Sequence, residues 1–231
     1  IEPQSDSHRY VLTPEGSSQD ATCTVRPVSL YNKNAGVSVG DDGAITLTYR
    51  LGAEAPVAIL DFGQDVGGYT RMSIASATPN ILRTSYSESL SNMSIIGDGA
   101  LSTILLANSG APLTFQATPV WGAREWQSRK LQGGYRYQLI TMDLPGSITL
   151  SDVSTQITAP LRPATGYSGN FLSDSDMLNR IWYAGAYTIN LDEISAGTPG
   201  FAGPYPLSIL GEAAKRDRSI WAGDLLTAGA T

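Results

Sequence analysis

Cysteine and histidine are almost missing from this sequence: Cys23 and His8 are the only residues of their kind among 231. A single thiol cannot close a disulfide within the chain or build a cysteine-rich metal cluster. A single histidine leaves a zinc site or a Ser-His-Asp triad without its parts, and so near a terminus it reads as solvated. Charge is sparse too, at 16% of residues, and it leans acidic, with a net charge of -6 and a sequence pI near 4.7. A phosphate-binding surface needs concentrated Lys and Arg, so nucleic acid and anionic membrane are disfavoured as partners. No apolar run approaches the roughly 18 to 20 residues of a membrane span, and no secretory leader is recognisable. Any catalysis is therefore left to carboxylates.

What is present is a globular composition, 42% hydrophobic, in a chain long enough to bury a sizeable core. Ser, Thr and Gly abound and the chain starts at Ile1, which reads as a processed, secreted polypeptide; the sequon Asn92-Met93-Ser94 is compatible with that. From about residue 23 to 160, short alternating runs are bounded by Gly, Pro, Asn and Asp. "AITLTYR" (44 to 50) sets Ile45, Leu47 and Tyr49 on one face and threonines on the other, the period of a half-buried strand. "PVAILDFG" (56 to 63), "YTRMSIA" (69 to 75), "ILRTSYS" (81 to 87), "APLTFQA" (111 to 117), "YRYQLITM" (135 to 142) and "SITLSDVSTQIT" (147 to 158) continue the series. This spacing predicts an antiparallel β-sandwich. Gly63, Gly67 and Gly68 lie outside any βαβ pattern and are expected to be turn glycines, and Asp98, between Gly97 and Gly99, to sit in a plain turn.

Prolines and glycines at 160 to 171 mark a boundary, giving a β domain over 1–162 and a second domain over 163–231. Beyond it the period changes. Leu178, Ile181, Trp182, Gly185 and Ile189 fall at helical spacing, and Ser173 with Asp176 has the form of a capping box. A second helical segment is expected from about Ile220. Such helices cannot close a core of their own, so they read as the opening of a helical domain whose apolar faces need partners. Trp121 and Trp126 with Arg124 are weighed as a sugar-stacking platform, with core packing as the stronger expectation; Tyr135 and Tyr137 are expected to share one strand face.

"GNFLSDSDMLNRIWYAGAYTINL" (169 to 191) together with "KRDRSIWAGDL" (215 to 225) resembles the α-L-rhamnosidase family of glycoside hydrolases. "LDFGQDVGGY" (60 to 69), "YSESL" (86 to 90) and "GGYRYQLI" (133 to 140) are similar to stretches of that family's sandwich, and the likeness covers roughly residues 56 to 231. It implies a jelly-roll-like β-sandwich followed by the first helices of an (α/α)6 barrel, here incomplete, with the remainder of the barrel as a partner. It also implies hydrolysis of terminal α-L-rhamnosyl-type linkages, with inversion and with no cofactor.

Glycoside cleavage needs one carboxylic acid to protonate the leaving oxygen and one carboxylate to activate water. Asp217 and Asp224 are the candidate catalytic carboxylates, with Trp221 between them as a flat face for a sugar ring. Arg216 and Glu212 are candidate substrate positioners. The sequence departs from the family at Arg218, where many members carry the Glu implied as general acid. Arginine, with a pKa above about 12, cannot donate that proton. Either Asp217, Asp224 or Glu212 takes the role, or the site has lost its usual chemistry. A second carboxylate from later in the barrel is implied, so the chain is expected to be inactive alone. The competing expectation is a carbohydrate-binding or assembly module that does not hydrolyse.

Overall fold

The computed structural model describes residues 10, 24–97, 115–128, 131–159, 169–197 and 207–211. Ten strands form one antiparallel system: β1 (Thr24–Val25), β2 (Ser29–Lys33), β3 (Val37–Val39), β4 (Ile45–Tyr49), β5 (Val57–Ala77), β6 (Asn80–Ser87), β7 (Phe115–Val120), β8 (Arg124–Gln127), β9 (Gln132–Met142) and β10 (Gly146–Ile157). Helix α1 (Asp176–Asp192) follows, and then a small pair, β11 (Glu193–Ile194) with β12 (Ile209–Leu210).

The 21-residue strand β5 organises the fold. Its first arm pairs with β2 and β9, and its second arm with β10 and β8, with the register interrupted between Asp61 and Val66. One arm therefore belongs to a β2-β5-β9-β6-β7 layer and the other to a β3-β4-β10-β5-β8 layer. Buried side chains from both layers meet in one cluster: Ala58, Leu60, Leu82, Ile140 and Met142 from the first, and Leu47, Met72, Ile74, Ile148 and Leu150 from the second. This mainly antiparallel arrangement fits the expected β-sandwich.

Several expectations change. "PVAILDFG" and "YTRMSIA" are two arms of one strand, because Gly67 and Gly68 lie inside β5 and are not turn residues. Gly68 is demanded by close packing: a Cβ there would lie 1.9 Å from the Gln156 carbonyl oxygen on β10. Only Gly63, at φ +79°, has the left-handed backbone that the turn reading implied. Tyr135 is buried with Phe62 and Tyr86, whereas Tyr137 stands edge-on to the exposed Tyr31, so the two tyrosines do not share an environment.

Of the expected barrel, α1 alone lies among the described residues. Its N-cap is Ser175, whose hydroxyl accepts the Leu178 N–H; Ser173 instead donates to the Ser175 carbonyl and to Asn179 Oδ1, and no Ser173–Asp176 capping box forms. The buried face of α1 is Asn179, Tyr183, Tyr187 and Asn190, while Met177, Leu178 and Ile181 are exposed. The apolar periodicity is real, but it marks the side turned away from the sandwich. The expected boundary at 162/163 and the second helical segment from Ile220 lie outside the described residues, as do His8, Cys23 and Asp98.

Candidate functional site

The three sandwich stretches that carry the family resemblance meet at one end of the molecule. In "LDFGQDVGGY" the chain bends between the arms of β5, and Asp61 secures the bend. Its Oδ1 accepts the Gly63 N–H at 2.7 Å and the Arg136 Nε–H at 2.8 Å, while Oδ2 accepts Arg136 Nη2–H at 3.0 Å. A forked guanidinium on a nearly buried carboxylate is among the stronger polar contacts a protein makes. Hydrogen bonding from Arg136 holds the Asp61 carboxyl below the usual carboxylate range against the opposing effect of burial. Arg136 belongs to "GGYRYQLI", so one ion pair ties two of the stretches together.

"YSESL" joins them through Tyr86, whose ring lies 4.8 Å from that of Tyr135; Tyr135 in turn meets Phe62 edge-on at 5.4 Å. Burial pushes both phenols up, and their hydroxyls are engaged with threonines, Tyr86 with Thr84 and Tyr135 with Thr155. These tyrosines are wall material and remain neutral. Glu88, just past β6, is exposed, and a Cβ added at Gly134 would stand 3.6 Å from its Oε1.

Helix α1 seats on this end. The Tyr187 hydroxyl donates to the Asp65 carbonyl at 2.6 Å and accepts from Gln64 Nε2 at 3.2 Å, so the β5 bend grips the helix directly. Leu191 packs on the Phe62–Tyr86–Tyr135 cluster. At the other end of the helix, Tyr10 stacks on Tyr183 and donates to Asp176 Oδ1 at 2.8 Å. After α1, the β11–β12 pair returns the chain, and the Gly211 N–H donates to the Asp192 carbonyl at 2.9 Å. Ile194 and Ile209 pack with Tyr69 and Leu131 beneath this return.

Gly211 is therefore held against the C-terminal end of α1, one residue before Glu212. Glu212, Arg216, Asp217, Arg218, Trp221 and Asp224 lie outside the described residues. Among the described residues no cluster of His, Cys, Asp or Glu is arranged to hold a metal ion, and no helix is long and apolar enough to cross a membrane. What this end offers chemically is positioning. Asp61, Arg136, Gln64 and Tyr187 are not among the candidate site residues read from the sequence, although all four lie within the motifs that carry the resemblance.

The opposite end carries a different feature. The Trp121–Gly122–Ala123 corner passes from β7 in one layer to β8 in the other, with Gly122 at φ +63° and its N–H donating to the Ala77 carbonyl at 2.8 Å. Trp121 is 57% exposed, and the Arg124 guanidinium stands 4.2 Å from its ring centroid. Trp126 packs against the core, so the two tryptophans do not form a joint platform.

No family model matches the sequence, and no curated protein matches it. Solved structures do. The chain is similar to the rhamnosidase from Klebsiella oxytoca solved with rhamnose bound, at 16% identity and a TM-score of 0.57, with 90% of this chain and 40% of that one covered. It is also similar to a GH78-family rhamnosidase of Bacillus sp. GL1, at 14% identity and a TM-score of 0.50, covering 71% of this chain and 15% of that one. At these identities the likeness is one of fold, a fold found in glycoside hydrolases. The chain spans less than half the length of either.

Proposed function

We propose that this chain is the sandwich and leading helix of a secreted glycoside hydrolase that cleaves terminal α-L-rhamnosyl-type linkages with inversion, working together with further barrel helices. The observation that carries the reading is the helix seat. A helix gripped by Tyr187 holds Gly211 against its C-terminal end, in a fold similar to that of two rhamnosidases. Asp217 and Asp224 are the site carboxylates of this proposal. One serves the departing oxygen or the attacking water, and the other supports the oxocarbenium-like transition state. Inversion asks for a carboxyl partner about 6.5 to 9.5 Å away across the sugar, and the remaining barrel supplies it. Glu212 and Arg216 bind substrate hydroxyls, and Trp221 stacks on the ring. The test is an aryl α-L-rhamnoside offered to the natural polypeptide carrying this sequence, with the anomer of the released sugar followed by proton NMR. Release of the β anomer supports the proposal; no cleavage, or first release of the α anomer, overturns it.

A second reading rests on Trp121. A solvated indole with the Arg124 guanidinium over its ring suits the apolar face of a pyranose, as expected of a carbohydrate-binding module. Saccharide binding without turnover, lost in Trp121→Ala, would favour it.

A further inference from the structure

The interior of the sandwich is not apolar from end to end. Across β5, β9 and β6 the register sets Leu60, Gln138 and Tyr86 in one row and Ala58, Ile140 and Thr84 in the next, and paired residues of a sheet share a face. Ala58, Leu60 and Ile140 belong to the main core, so Gln138, Thr84 and Tyr86 face the interior as well. In the other layer, Thr70 pairs with Thr155 beside the core row of Met72 and Val153. A Thr84–Tyr86 contact of 3.1 Å, a Thr70–Tyr135 contact of 3.5 Å and a Tyr135–Thr155 bond link these hydroxyls. The result is a buried polar band between the main core and the Phe62–Tyr86–Tyr135 cluster under the helix.

Gln138 stands in this band at 0% exposure, and neither its Nε2 nor its Oε1 has a hydrogen-bond partner among protein groups. Burying both ends of an amide unpaired is costly, and native interiors avoid it. Turning the amide over changes nothing, since both atoms are without a partner. The group needs a ligand able to accept from Nε2 and donate to Oε1, small enough for a core and uncharged. Threonine and tyrosine hydroxyls retain capacity beyond the bonds they make to one another, since each can donate once and accept twice.

We propose an ordered-water site buried between the layers, held by the Gln138 amide and shared with the hydroxyls of Thr70, Thr84, Tyr86, Tyr135 and Thr155. The water completes the band as a connected network, which is how buried waters are retained in folded proteins. The site lies behind the two tyrosine rings that wall the helix seat. It stands independently of any assignment of enzymatic activity.

The direct test is a high-resolution crystal structure of this chain, joined to oxygen-17 relaxation dispersion in solution. Density for a water within about 2.7 to 3.2 Å of a Gln138 amide atom, together with a long-lived water signal, is the expected result. That signal is lost in Gln138→Leu and in Gln138→Met while far-ultraviolet circular dichroism stays that of the folded sandwich. A dry Gln138 in the unmodified chain, or a long-lived signal unchanged in both variants, overturns the proposal. If neither variant folds, the crystal structure of the unmodified chain decides alone.

Discussion

Asp61 accepts three hydrogen bonds at the bend of β5. It closes the bend at Gly63 and takes both arms of Arg136, so Asp61→Asn removes the charge-assisted bonds and leaves the shape intact. We expect it to cost about 1–3 kcal/mol in urea unfolding near neutral pH. The pH dependence has a definite sign. The folded carboxyl titrates below its unfolded value of about 3.9, so its contribution is complete above that pH and is lost as pH falls through the lower folded value. The Asn variant should show a flatter stability profile across that acid window. An equal slope in both proteins would show that the pair does not act as described. Gly68 gives a second prediction at this scale. Gly68→Ala drives a methyl into the Gln156 carbonyl and should cost about 3 kcal/mol or more, whereas Gly67→Ala, whose nearest neighbour lies at 3.7 Å, should cost far less. Thermal melts of the two variants check it.

Helix α1 teaches what periodicity can and cannot tell. Its apolar residues at helical spacing mark a helix correctly, and strands such as Ile45–Tyr49, with Leu47 buried in the core, are equally legible from alternation. Which face of the helix meets the sandwich is not legible. The buried face here is Asn179, Tyr183, Tyr187 and Asn190, with Tyr187 bonded to Asp65 and Gln64 across the interface and Asn179 to Ser173 at the cap, while Met177, Leu178 and Ile181 are exposed. The two arms of β5 look like separate strands in the sequence for a similar reason: a glycine pair looks the same whether it makes a turn or admits a neighbouring backbone. Two variants separate the faces. In these 231 residues by themselves, Ile181→Lys should leave stability within about 0.5 kcal/mol. Tyr187→Phe removes two hydrogen bonds to the β5 bend and should speed amide exchange in α1 while the sheet amides keep their protection. Uniform acceleration across the sheet would contradict a local grip.

For the whole molecule, the sandwich is a scaffold with a seat at one end and a solvated tryptophan corner at the other. "LDFG", "YSES" and "GGYRY" are legible in the sequence as stretches that resemble a family's sandwich, but not as a helix seat. Their part in holding a helix emerged only from the pairing of Asp61 with Arg136 and of Tyr187 with Asp65. The acidic stretch is legible as chemistry through residue type alone, two carboxylates around a tryptophan, and it lies outside the described residues. The central claim is therefore that this seat serves a hydrolytic site built on Asp217 and Asp224. The most direct measurement is kcat on an aryl α-L-rhamnoside for the natural polypeptide beside its Asp217→Asn and Asp224→Asn variants. A fall of about 10²-fold or more in at least one variant, with the fold retained, is the predicted result; turnover unchanged in both would contradict it.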